Sequence, residues 1–267
     1  MIPKFLKLTA FFAYLFILLF TGCSSEINDK MHKKRPKGIM PVVLSVKGEH
    51  LTNEERVLFE ENNPFGFILF PRNISSVEQT KKLISDLTDC ISYRRSAPIL
   101  IDQEGGVIDR LRRLEPRIYY PAPIEFGRIA KTKGLSYSEK AVFDNYYNVA
   151  KRLKGLGFTI NCVPIADLYD DDQGIRGTKE KNPVIVNRSF SDDVNITVAL
   201  SKTTINAHDA VGITSVIKHM PGHGLSKVDS HDELPIVSHS LDYLEKNDFT
   251  AETQKRRARR QDTEFPQ

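Results

Sequence analysis

Short apolar segments alternate along the chain with longer amphipathic ones, and this order limits the folds that the chain can adopt. Five segments are β-branched or apolar and are bounded by Gly or Pro, as is typical of buried strands. These strand candidates are residues 41–46, 66–70, 98–101, 158–164 and 213–217. Helices are predicted over residues 52–62, 75–93, 139–156 and 192–211. The β-α-β-α order predicts a parallel sheet with crossover helices, and we expect a TIM-type (β/α)8 barrel of the α/β class.

The number of strand candidates falls short of a closed barrel. A barrel of this type needs eight strands, whereas the sequence offers about five. The last predicted element is a helix over residues 241–249, and residues 250–267 show no apolar periodicity. We therefore expect an incomplete, truncated barrel over residues 39–249, followed by an aberrant basic tail over residues 250–267.

The charge distribution argues against nucleic-acid binding by the folded body. The formal net charge is +4, and the basic run at residues 255–260 alone supplies five positive charges, which leaves the rest of the chain close to neutral. A body without a basic surplus lacks the electrostatic attraction on which nucleic-acid binding depends. The basic run itself is typical of a solvated tail. We expect no nucleic-acid partner.

The first residues resemble an export signal. Lys4 and Lys7 precede an apolar run at residues 8–20, which is shorter than the ~20 residues that a membrane-spanning helix needs. The run ends in TGCSS, which is similar to the site where bacterial lipoproteins are cut and lipidated on the cysteine, here Cys23. We predict a signal peptide over residues 1–22, a lipidated Cys23 and a tether over residues 23–38, hence an exported lipoprotein anchored to the membrane, or a periplasmic protein. An ordinary cleaved signal or an N-terminal anchor remains the alternative.

Polar motifs follow three of the predicted strands. Residues 102–106, with the sequence DQEGG, follow the third strand; Asp167 follows the fourth; Lys218 and His219 end the fifth. In (β/α) barrels the chemistry lies on the loops that follow the strands. The sequence therefore predicts that these side chains meet at one end of the sheet.

The densest group of reactive side chains is KHMPGHG at residues 218–224, followed by Asp229 and His231. His219 and His223 are four residues apart, as in helical zinc motifs, but Pro221 and Gly222 between them break a helix, so we expect no metal and no cofactor. A histidine two residues from an aspartate is suited to acid–base catalysis, because the carboxylate fixes its tautomer. A metal-dependent barrel hydrolase that uses three histidines stays open as an alternative.

These motifs together resemble the N-terminal domain of family 3 glycoside hydrolases, in the β-N-acetylhexosaminidase branch. The resemblance extends over roughly residues 39–249. It rests on KHMPGHG with the DSH triplet that starts at Asp229, and on four further stretches. These are GFILFPRN at 66–73, IDQEGG through the RLR triplet at 101–112, NCVPIADL at 161–168 and RSFSDD at 188–193.

The resemblance implies a retaining glycosidase that removes terminal non-reducing N-acetylglucosamine, an activity of peptidoglycan turnover. In this branch a histidine replaces the usual acid/base carboxylate, and this residue would be His231, with Asp229 as its partner. The predicted ligands of an N-acetylglucosamine-containing saccharide are Asp102, Arg110, Arg188, Lys218 and His219. Many relatives of this type are cytoplasmic, which is the alternative to export.

In the family, the nucleophilic aspartate lies well downstream of the Asp-Ser-His loop, and we assign no residue of this chain to that role. Asp242 and Asp248 lie in or beside the last helix candidate, and Asp262 lies in the tail. We therefore expect the chain to be inactive alone. A non-catalytic, sugar-binding remnant lipoprotein is the main alternative to an active enzyme.

Overall fold

The computed structural model describes residues 38–92, 97–169, 185, 187–246 and 249. The predicted signal peptide, Cys23 and the tail over residues 250–267 lie outside the described residues, as does the tether apart from Gly38, and these features stay predictions. Within the described part of the chain, no helix has both the length and the apolar character that a membrane crossing requires.

Among the described residues, a parallel sheet of five strands forms the centre of the fold. The strands are β1 (Met40–Leu44), β2 (Pro64–Leu69), β3 (Ile99–Ile101), β4 (Ile160–Asn161) and β5 (Thr214–Ser215). Each strand pairs in parallel with the next one along the chain, so that the order is β1-β2-β3-β4-β5. This sequential parallel order, with helices between the strands, confirms the predicted α/β class and the relation to the TIM barrel.

Several strands are shorter than their apolar runs. The prediction for the fourth strand was residues 158–164, whereas β4 is limited to Ile160–Asn161. Pro164 has no N–H to donate to a ladder, so that part of the run continues as a loop at the carboxyl end of the sheet. The apolar residues of this loop are nevertheless buried, which explains why the sequence resembled a longer strand.

Within the described residues, six α-helices accompany the sheet. They are α1 (Asn53–Asn62), α2 (Val77–Asp89), α3 (Pro123–Lys133), α4 (Leu135–Leu156), α5 (Val194–Asp209) and α6 (Leu241–Lys246). Helix α1 begins with a capping box: Thr52 Oγ1 accepts from the Glu55 N–H at 3.2 Å, and Glu55 Oε2 accepts from the Thr52 N–H at 3.0 Å.

Helix α3 is absent from the sequence-based prediction. It begins after Ala122, which has no side chain to accept a capping hydrogen bond, and it contains Gly127, which is a poor helix former. Gly127 is required by packing: a Cβ at this position would collide with the backbone carbonyl of Phe190. The close approach holds the segment that carries Arg188 against α3.

The hydrophobic core lies between the sheet and the helices α2 and α4. Phe67 and Leu69 of β2 and Ile101 of β3 are completely buried, and they pack in one cluster with Leu83 of α2 and Leu153 of α4. Each such side chain contributes about 1.5–3 kcal/mol when it is removed from water. This cluster fixes β2 and β3, and with them the position of the loop that follows β3.

The outer strand β1 is exposed. Met40, Val42 and Val43 are each between 37% and 39% exposed, and β1 pairs only with β2 among the described residues. Pro41 lies in this strand, and the pairing register is irregular between Met40 and Val43. Within the described part of the chain the sheet is therefore open at its β1 edge.

Candidate active site

The loops that follow the strands enclose one cavity at the carboxyl end of the sheet. Its volume is about 380 Å³. The side chains that line it are Phe70, Asp102, Glu104, Ile108, Arg110, Arg188, Lys218, His219, His223, Ser230 and His231. Six of the seven predicted catalytic and sugar-binding residues are thus brought together. The seventh, Asp229, contacts His231 from outside the lining.

Glu104 is the centre of an ion-pair network in the cavity wall. Its two carboxylate oxygens each accept a 2.8 Å hydrogen bond from the guanidinium of Arg188. Lys218 Nζ lies 2.8 Å from Glu104 Oε1 and 2.5 Å from Asp102 Oδ1. Only 1% of the Glu104 side chain is exposed, and burial of a charged group is costly unless it is paired and hydrogen-bonded in this way.

The same network keeps Arg188 charged. Burial favours its neutral form, but its hydrogen bonds to Glu104 and the negative charges of Glu104, Asp167 and Asp102 outweigh this, so that the pKa of Arg188 is raised above its ordinary value. Arg188 therefore presents a permanent positive charge to the cavity. A planar, fixed cation of this kind is suited to hydroxyl and carbonyl oxygens of a ligand.

Asp167, which follows β4, holds the histidine loop in place. Its side chain is completely buried, and its Oδ2 lies 2.7 Å from His219 Nδ1. Its Oδ1 accepts the backbone N–H of His223 at 2.6 Å. Gly224 lies close to the backbone next to Asp167, where a Cβ would collide with the Leu168 carbonyl. The loop can therefore pack directly against the end of β4.

His231 and Asp229 form the predicted dyad. Asp229 Oδ1 accepts the backbone N–H of His231 at 2.8 Å and lies 2.6 Å from its Nδ1. The backbone N–H of His231, followed by its side chain, holds the pKa of Asp229 below its usual value. With Nδ1 directed at the carboxylate, Nε2 is the nitrogen that remains for a ligand. The His231 side chain is 81% exposed, so it can reach a molecule in the cavity without moving core residues.

Arg110 presents an unsatisfied donor beside the cavity. Its Nε is buried and has no hydrogen-bond partner among the described residues. Its backbone N–H donates to Gln103 Oε1 at 2.8 Å, which holds the backbone of Arg110 in place. A buried charged donor without a partner is costly, and an oxygen atom of a bound ligand would satisfy it.

The three histidines of the loop each contact a different partner. Within the described residues, no group of three or more His, Cys, Asp or Glu side chains is arranged to hold a metal ion. His219 contacts Asp167, His231 contacts Asp229, and His223 Nε2 lies 3.1 Å from Ser230 Oγ. The alternative of a metal-dependent hydrolase that uses His219, His223 and His231 therefore has no support from their geometry.

The family comparison agrees with this geometry. Residues 39–253 match the glycosyl hydrolase family 3 N-terminal domain. The chain belongs to glycosyl hydrolase family 3. Among curated family 3 relatives, the beta-hexosaminidase of Psychromonas ingrahamii is 32% identical over 204 residues, which cover 75% of this chain and 54% of that protein. The beta-hexosaminidase A of Pseudoalteromonas piscicida is 32% identical over 187 residues, which cover 69% of this chain and 29% of that protein.

Solved family 3 structures share the fold. Native NagZ from Neisseria gonorrhoeae superposes with a TM-score of 0.72 at 30% identity, covering 82% of this chain and 60% of that one. NagZ in complex with N-trifluoroacetyl-D-glucosamine gives the same TM-score. The chain spans less than two thirds of the length of each of these four relatives and structures.

Two residues of this family 3 site were not among the predicted ligands. Glu104 belongs to the DQEGG motif after the third predicted strand and Asp167 follows the fourth, but the resemblance assigned neither of them a role in binding. Both are acidic residues in the loops that follow β3 and β4, where the sequence analysis placed the polar motifs. Their buried ion pairs and hydrogen bonds join segments far apart in the chain, and spacing alone does not reveal such contacts.

Proposed function

We propose that this chain provides the sugar-binding and acid/base part of a β-N-acetylhexosaminidase that releases terminal N-acetylglucosamine with retention of configuration. The observation that carries the proposal is the cavity in which Asp102, Arg110, Arg188, Lys218 and His219 meet His231. Relatives named beta-hexosaminidase, and a NagZ structure in complex with an N-acylated glucosamine, support the same substrate class.

The charged side chains account for binding of a neutral sugar. Asp102 and Lys218 form a donor and acceptor pair at one wall, which suits vicinal hydroxyl groups. Arg188 contributes a fixed cation, and the Nε of Arg110 still needs an acceptor. Hydrogen bonds in which one partner is charged are stronger than neutral ones, so a sugar can displace water from these groups.

His231 supplies the proton transfers. In the first step a carboxylate attacks the anomeric carbon, the glycosidic C–O bond breaks, and Nε2 of protonated His231 donates its proton to the leaving oxygen. In the second step the neutral Nε2 accepts a proton from water, which attacks the anomeric carbon and releases the carboxylate. Asp229 at 2.6 Å from Nδ1 stabilises the imidazolium that is present before the first step and forms again in the second.

The attacking carboxylate has no candidate in the described wall of the cavity. Asp102 and Glu104, the two carboxylates that line it, are both in ion pairs with Lys218, and Glu104 is also paired with Arg188. We infer that the nucleophile comes from polypeptide outside the described residues. The described part alone then binds N-acetylglucosamine without hydrolysing it. This corresponds to the alternative of a non-catalytic, sugar-binding remnant.

Calorimetric titration with N-acetylglucosamine tests the proposal, together with release of chromophore from a chromogenic N-acetyl-β-glucosaminide. We expect saturable binding that Arg110→Ala abolishes, while Lys202→Ala, at a position on α5 outside the cavity lining, leaves it unchanged. Absence of binding by a protein whose circular dichroism shows the expected helix content would overturn the assignment. Binding without turnover would identify a sugar-binding remnant, and binding with turnover would identify an active enzyme.

We further propose that the chain is an exported lipoprotein that acts in peptidoglycan turnover. Support comes from the sequence alone: the apolar run at residues 8–20 and Cys23 in TGCSS. Metabolic labelling with a fatty acid is expected to mark the wild-type chain and not a Cys23→Ser variant. Equal labelling of both would contradict lipidation at Cys23, and recovery of both from the cytoplasm would contradict export.

A further inference from the structure

A chain of three buried polar side chains connects helix α5 to the cavity. Gln103, Asn161 and His208 are all completely buried. Gln103 lies between Asp102 and Glu104, Asn161 is the last residue of β4, and His208 lies in the last turn of α5. Buried polar groups are costly unless each finds a partner, so the contacts of these three decide what they do.

His208 has a defined tautomer. Its Nδ1 lies 2.8 Å from the Thr204 carbonyl oxygen, which can only accept, so Nδ1 carries a hydrogen. Burial lowers the pKa of His208, against smaller opposing effects of the Thr204 carbonyl and the charge of Asp209, so the ring is neutral and Nε2 is an acceptor. Nε2 lies 3.0 Å from Asn161 Nδ2, which therefore donates to it.

This contact fixes the orientation of the Asn161 amide. One N–H of Nδ2 points at His208, and the other donates to the Gln103 carbonyl at 3.1 Å. The opposite end, Oδ1, accepts the Gln103 backbone N–H at 2.9 Å. A rotated amide would direct its oxygen at the acceptor nitrogen of His208 and at the Gln103 carbonyl, so His208 excludes that orientation.

Gln103 transmits this constraint to the far side of the loop. Its Oε1 accepts the backbone N–H groups of Arg110 at 2.8 Å and Leu111 at 3.2 Å. Its Nε2 donates to Asp109 Oδ1 at 2.9 Å. The backbone on both sides of Asp102 and Glu104, and the backbone of Arg110, thus depend on one continuous set of hydrogen bonds that begins in α5.

We propose that His208, Asn161 and Gln103 are positioning residues for the cavity, which hold Asp102, Glu104 and Arg110 in the geometry that the ligand needs. None of the three lines the cavity. Their effect is therefore exerted through the residues that do. The inference concerns the same site as the proposed β-N-acetylhexosaminidase function. It rests on that function only when affinity for the sugar is the quantity measured.

The test uses His208→Phe, which keeps a ring of similar size and removes the acceptor for Asn161. His208→Gln offers a carbonyl oxygen instead and serves as the conservative replacement. Leu200→Ala is the matched control, because Leu200 is also completely buried in α5 and lies outside the hydrogen-bonded set. Gln103→Met, which removes both acceptor and donor at the cavity end, replaces His208→Phe if that variant does not fold.

Two quantities are measured on the full chain: amide hydrogen exchange of Gln103, Arg110 and Leu111 without ligand, and affinity for N-acetylglucosamine. We expect His208→Phe to accelerate exchange at these amides and to weaken affinity, each by about tenfold, since small displacements of positioned groups have effects of at least this size. His208→Gln is expected to restore most of both. Leu200→Ala should lower the melting temperature and leave both quantities at the wild-type value.

The outcomes separate this inference from the proposed function. If His208→Phe loses stability as Leu200→Ala does, and leaves exchange and affinity unchanged, the three residues are only structural and the inference is overturned. If the wild type binds no N-acetylglucosamine, the proposed function fails, while local exchange at Gln103, Arg110 and Leu111 still decides the positioning role. Faster exchange with unaltered affinity would also overturn it, because the loop would then move without consequence for the ligand.

Discussion

The guanidinium of Arg188 donates two hydrogen bonds of 2.8 Å to Glu104, a residue 84 positions earlier in the chain. The pair joins the loop after β3 to the segment before α5, which α3 approaches closely at Gly127. Because Glu104 is almost completely buried, both partners have given up most of their contact with water. The wall of the cavity is therefore part of what stabilises the fold.

Removal of the Glu104 charge should destabilise the protein strongly. Glu104→Gln leaves Arg188 buried without its counter-ion, and breaking a buried pair in this way costs about 3–5 kcal/mol in the free energy of unfolding. Urea unfolding measures the change. Asp144→Ala removes the partner of Lys140 in an exposed pair and should have no measurable effect. Equal effects of the two substitutions would contradict the role given to burial.

Asp167→Asn tests the support of the histidine loop. The variant keeps the shape of the side chain, but its single oxygen cannot serve both His219 and the backbone N–H of His223. We expect affinity for N-acetylglucosamine to fall by about tenfold, as is common when a group behind a binding residue is altered. Calorimetry measures this, with Asp144→Asn as a control of the same chemistry on the surface. An affinity equal to that of the wild type would show that Asp167 does not position His219.

Stability should fall in mildly acidic solution because of His208. Its folded-state pKa lies below the ordinary value of 6.5, so the unfolded chain binds more protons than the folded one as soon as the pH drops below about that value. The free energy of unfolding therefore decreases from about pH 6.5 down to the folded pKa, by up to about 1.4 kcal/mol per pH unit. Urea midpoints at about pH 7.5 and 5.5 measure the loss.

In His208→Gln, which does not titrate, the same pH interval should give a smaller loss of stability. An identical dependence in the variant and the wild type would assign the effect to other groups.

Two glycines in helices should respond oppositely to alanine. Gly155→Ala is expected to stabilise the protein by about 0.5–1 kcal/mol, because nothing lies within 4 Å of the new Cβ and the unfolded chain loses freedom. Gly127→Ala should destabilise it, because the Cβ collides with the Phe190 carbonyl. Thermal unfolding of both variants gives the two signs, and stabilisation by Gly127→Ala would show that the Arg188 segment is free to shift.

Local patterns in the sequence were sufficient for the sheet and most of the helices. Thr52 and Glu55 have the spacing of a capping box, which indicates where α1 begins. The acidic and basic residues after the strands indicated where the cavity would be. Helix α3 was missed because its glycine is explained only by Phe190, more than sixty positions away. Glu104, Asp167 and His208 were not assigned for the same reason, since each acts through a partner distant in sequence.

Pro41 has a consequence for how copies of this chain behave in concentrated solution. An outermost strand with accessible amides can act as a template on which further molecules stack into fibres. Proline offers no amide hydrogen, and the register of β1 against β2 is irregular around it. Although β1 exposes apolar side chains that can attract other copies of the chain, Pro41 thus makes this strand a poor template for fibre formation.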